Sequence, residues 1–114
     1  MSRLLRIAFW AAALFAFVMA TLPAPPNLQV SDKLQHMTAF FVIALLGCAA
    51  FPRLSRLKLL LALIAFGGFI ELVQMVPALH RDSEWGDWFA DIAAASLALV
   101  VAALSARLRS ARTD

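Results

Sequence analysis

Charge is what this chain of 114 residues has least of. Asp, Glu, Lys and Arg make up 15% of it, about half of what the surface of a small soluble domain carries. Hydrophobic residues make up 63%, where a soluble domain has about 45–50%. With a mean hydropathy of +0.84, a free-standing soluble domain is excluded, and the class is an integral membrane protein. Cysteine is nearly absent. Cys48 is the only one, which excludes an intrachain disulfide and a thiolate metal cluster. It sits in an apolar run and reads as a small lipid- or helix-facing residue. Proline is missing from every long apolar run. The net charge of +3 and pI near 10 raise nucleic acid as a partner, but the basic residues flank hydrophobic segments, where membrane topology accounts for them.

Four apolar stretches remain: Ile7–Leu22, Leu34–Phe51, Leu57–Val76 and Trp88–Ala106. Each approaches the about 20 residues a membrane helix needs. Leu4 and Leu5 extend the first past Arg6, which can snorkel. The expected fold is all-α: one domain over residues 1–114, a compact bundle with spans at about 4–22, 34–51, 57–76 and 88–106. Strands of a β-barrel would alternate apolar and polar residues, and these runs do not. Pro23, Pro25 and Pro26, then Pro52, then Pro77 close the first three spans, because proline removes a backbone donor and stops a helix. Ser31 is expected to cap the second span, and Asp82 or Ser83 the fourth.

Charge sign sets the orientation. Arg3, Arg6, Arg53, Arg56, Lys58, Arg107, Arg109 and Arg112, eight of the ten Lys and Arg, fall at one end of the spans. The positive-inside bias makes that end cytoplasmic, with both termini inside. Six of the seven acids, all but Asp114, fall on or near the other end. Residues 1–20 also resemble a signal peptide, with Val18-Met19-Ala20 before a cleavage point. An uncleaved helix is preferred, because the run is long for a signal core and an even span count keeps both basic ends inside.

The polar residues inside the spans share one depth. Asp32 and His36 lie four apart on one face of span two, which Phe40 continues. Glu71 and Gln74 end span three on one face, with Gly67 a turn below. Asp87 and Asp91 open span four, followed by Ala94 or Ala95 and Ala98. His36, Glu71 and Asp91 are each roughly one to two turns inside the outer end at about 1.5 Å per residue. An ionised group facing lipid there is expensive, so the three helices are expected to turn these groups toward one another. Gly67, Gly68 and Ala93–Ala95 permit close approach. The loop at 77–87 adds His80, Arg81, Asp82, Glu84 and Trp85. Lys33 and Arg81 are the only basic residues of this outer end, and Trp85 and Trp88 suit a membrane–water boundary.

The ordered set Asp32-Lys33-x-x-His36-x-x-x-Phe40, Glu71-x-x-Gln74, Arg81 and Asp87 resembles the VanZ-like membrane proteins over roughly residues 30–100. Two positions depart from that pattern. Asp91 stands where the family usually has Asn, and Ala94 and Ala98 stand where glycines are common. The resemblance implies a multi-pass protein of the bacterial cytoplasmic (inner) membrane with its polar cluster facing outward. The family is named for a member associated with teicoplanin resistance, and it supplies no agreed reaction.

Four functions fit these residues. The cluster holds an anionic lipid headgroup or a lipid-linked envelope precursor on Lys33 and Arg81, with Trp85 and Trp88 flanking it. Or it is a hydrogen-bonded scaffold joining four helices. Or it is an intramembrane enzyme acting on lipid, with His36, Glu71 and Asp87 as the catalytic candidates. A divalent ion on His36, Glu71 and Asp87 or Asp91 would belong to that version, but no HExxH-like spacing supports it, so no metal or cofactor is expected. Or it is a transporter, which Glu71 fits poorly, lying near the outer end and not at the midplane. The binding set expected is Asp32, Lys33, His36, Glu71, Gln74, Arg81, Asp87 and Asp91, with membrane lipids as partners and no nucleic acid.

Overall fold

The computed structural model describes residues 2–22, 32–77 and 85–113, which form four helices: α1 (Ser2–Thr21), α2 (Asp32–Ala50), α3 (Arg56–Gln74) and α4 (Trp85–Thr113). Each is long and apolar enough to cross a membrane. The bundle is elongated, 56 × 27 × 27 Å. Its exterior is apolar, with Trp10, Phe15, Phe69, Phe89 and Leu104 all more than half exposed. Its fully buried side chains include Glu71, Gln74 and Asp91. A water-soluble protein puts these classes the other way round.

The helix ends follow local chemistry. Ser55 caps α3 from extended backbone (φ −66°, ψ 148°), its Oγ accepting from the Lys58 N–H at 3.1 Å. This cap was not singled out in the sequence. The expected caps Ser31, Asp82 and Ser83 lie outside the described residues. α3 stops at Gln74, two residues before the apolar run does. Met75 and Val76 donate to Leu72 O and Val73 O in a tightened last turn, and Pro77 disfavours helical backbone at the residue before it. α4 departs most from expectation. It starts at Trp85, so Trp85, Gly86 and Asp87 are helical and not loop, and it runs to Thr113, beyond Ala106. Hydropathy ends at Ala106, but Ala, Leu and Arg remain good helix formers, and Arg112 sits favourably against the negative end of the helix dipole.

α2 makes its most extensive contact with α4. The pairs Lys33–Asp87 and His36–Asp91 advance together along both helices, so the two run parallel. Small residues carry this seam inward: Ala44 and Ala98 are wholly buried and Ala95 nearly so. Aromatic contacts bind the flanking helices. Phe9 of α1 meets Phe51 edge-on at 5.2 Å, and Phe17 stacks on Phe69 of α3 at 5.8 Å. At Gly47 three helices converge; an added Cβ would lie 2.9 Å from both Leu59 methyls and 3.1 Å from Phe9 Cε1. The helix order puts the starts of α2 and α4 and the ends of α1 and α3 at a polar end. Among the described residues, every Lys and Arg except Lys33 falls toward the other.

Candidate functional site

The polar end is built in tiers on the α2–α4 seam. At the rim, Lys33 Nζ lies 3.7 Å from Asp87 Oδ1; the lysine side chain is 47% exposed and the aspartate 9%. A turn deeper, His36 Nδ1 lies 4.0 Å from Asp91 Oδ2, both nearly buried. His36 and Asp91, two of the three groups expected to turn toward one another, thus face each other across α2 and α4, and Lys33 and Asp87 add a pair that the sequence did not single out. Glu71, from α3, is wholly buried at this same end. Among the described residues, three buried carboxylates stand against one lysine and one histidine. Buried charges of one sign need compensating protons or cations. Arg81 and the side chain of Asp32 lie outside the described residues, as do His80, Asp82 and Glu84.

Gln74 does not do what its spacing suggested. It was expected to face spans two and four. Instead its Nε2 donates to Ala20 O of α1 at 2.7 Å, in a buried contact. The last carbonyls of a helix have no intrahelical donor, and this side chain supplies one. No polar role was legible for span one, because the acceptor is a backbone carbonyl and carries no side-chain signature. Thr21 Oγ1 donates to Phe17 O at 2.8 Å in the same turn. Single oxygens of Glu71, Gln74 and Asp91 are buried without a hydrogen bond, while Glu71 and Asp91 make further polar contacts.

Trp88 is half-buried, with its indole N–H turned toward α3. Its Nε1 donates to Ile64 O of α3 at 2.9 Å, and its ring covers Gly67 and Gly68. A Cβ on Gly67 would fall 3.0 Å from Trp88 Cδ1, so the glycine is what lets the indole seat. Trp85 remains 42% exposed and meets Trp88 edge-on at 5.5 Å, which suits the boundary role expected of it.

No three His, Cys, Asp or Glu side chains among the described residues converge as a metal-ligand set. Two surface hollows lie at the basic end: a groove along α1 from Arg3 to Leu14, and a niche of about 310 Å³ at the α2–α3 turn. Comparison with protein-family models, curated proteins and solved structures gives no match.

Proposed function

We propose that the chain is a VanZ-like, multi-pass protein of a bacterial cytoplasmic membrane, with both termini inside and the polar end outward. There it seats the phosphate of an anionic lipid headgroup or lipid-linked envelope precursor. The observation that supports this is the asymmetry of the rim pair. Asp87 is buried, while Lys33 keeps about half its side chain exposed. A buried carboxylate thus holds an ammonium at the mouth of the cluster, at the polar end of the bundle. In this reading Lys33 and Arg81 meet the anion. His36, Asp91 and Glu71 are the base beneath them, too buried to touch a ligand, which also argues against His36 and Glu71 as catalysts.

The test is native mass spectrometry of the purified protein with phosphatidylglycerol. Lys33→Ala and Arg81→Ala are each expected to lower retention about fivefold, the effect of roughly 1 kcal/mol per basic residue near an anionic surface. In cells, the double variant is expected to lose any teicoplanin tolerance the unaltered chain confers. Unchanged retention in both single variants sinks the proposal.

A scaffold role is the second reading, and the Gln74–Ala20 contact supports it. It predicts that the same variants keep their lipid but melt at lower temperature.

A further inference from the structure

The basic end carries a feature that the outward site does not use. The turn between α2 and α3 encloses a niche of about 310 Å³ lined by Cys48, Pro52, Arg53, Leu54, Ser55 and Arg56. The lining comes from the last turn of α2, the turn itself and the first residue of α3. The α1 groove, by contrast, is one side of a single helix. Two arginines face the niche, and no carboxylate among the described residues pairs with either. No acidic residue occurs anywhere between Lys33 and Ile70. The turn has a fixed geometry, with Leu54 N–H donating to Phe51 O at 3.0 Å and Leu59 N–H to Ser55 O at 3.1 Å. Ser55 Oγ already takes the Lys58 N–H. The Arg56 and Leu57 N–H groups precede the first intrahelical bond of α3, where backbone donors favour an anion. Leu54, which lines the niche and is 42% exposed, puts apolar surface beside the arginines.

We propose that this niche is a phosphate-binding seat at the basic end of the bundle, suited to the headgroup of an anionic phospholipid. Arginine forks match phosphate oxygens, the start of α3 adds oriented donors, and Leu54 offers apolar surface to an acyl chain. Basic pockets between membrane helices recognise anionic headgroups by this chemistry. The niche is independent of the outward site, since it shares no residue with it.

The test uses the full chain in detergent, where membrane orientation plays no part, on a Lys33→Ala/Arg81→Ala background that silences the outward site. Bound phosphatidylglycerol is counted by native mass spectrometry. Arg53→Gln/Arg56→Gln is expected to lower it at least about tenfold, and Arg107→Gln/Arg109→Gln, which removes the same charge from α4, less than about twofold. Equal losses in the two pairs would mean a diffuse field and overturn the seat. Arg53→Lys/Arg56→Lys keeps the charges without the forks and is expected to bind between the arginine and glutamine forms. If the lysines bind no better than the glutamines, the loss is structural and the proposal fails. Phosphatidylcholine binding as well as phosphatidylglycerol would also overturn it. Displacement by millimolar inorganic phosphate supports recognition of the phosphate group alone, and resistance to it supports recognition of the whole lipid.

Discussion

Gln74 shows how far a side chain's type can be read and where its direction cannot. Its burial was expected, because a polar group on an apolar helix seeks company. Its partner was not, because an unfilled carbonyl at the end of α1 has no letter in the sequence. The Gln74–Ala20 bond joins residues 54 apart in the chain. Gln74→Leu keeps the volume and removes the donor, leaving Ala20 O without it. The expected cost is about 0.6 to 1.7 kcal/mol, the range measured for hydrogen bonds between membrane helices, read as a lower midpoint in detergent unfolding. The companion aspartates were legible as a pair facing α2. With Glu71 they make three buried carboxylates against one lysine and one histidine among the described residues.

Among the elements, α3 and α4 meet through a tryptophan laid on glycines. Gly67 and Gly68 were legible as permitting close approach, and Ala95 and Ala98 as lining a seam. The direction of Trp88 was not legible, since an aromatic near a span boundary has the same signature whether it faces headgroups or a neighbouring helix. The two glycines are predicted to differ. Gly67→Ala puts a methyl 3.0 Å from a rigid indole and 3.4 Å from Phe40 Cζ, so the ring must move; overpacking of this kind costs about 1–3 kcal/mol. Gly68→Ala meets Trp88 at ordinary contact, 3.5 Å, and gains up to about 1 kcal/mol of helix propensity. Thermal unfolding of the two variants should therefore shift in opposite directions. Equal destabilisation would mean that the indole is not seated as described. Element ends were the least legible feature, because hydropathy marks where a helix is greasy and not where its backbone bonds stop; α4 continuing to Thr113 is the plainest case.

At the scale of the whole molecule, the number of helices followed directly from the order of residues along the chain. Long apolar runs, proline punctuation and charge sign each act over many residues, so no single position decides it. The two ends predict a topology. In a Cys48→Ala background, Ser110→Cys should react with an impermeant maleimide only from the cytoplasmic side, and Glu84→Cys only from outside; the reverse pattern would invert the charge-derived orientation. The hydrogen bond that closes α1 has a further consequence, for synthesis. Its donor is translated 54 residues after its acceptor, roughly 3–10 s later at about 5–20 residues per second. Through that interval the end of α1 has no Gln74 to meet its carbonyl. The first helix reaches its final bonding only when the third is delivered beside it, which makes the bundle's assembly order part of its hydrogen-bond count.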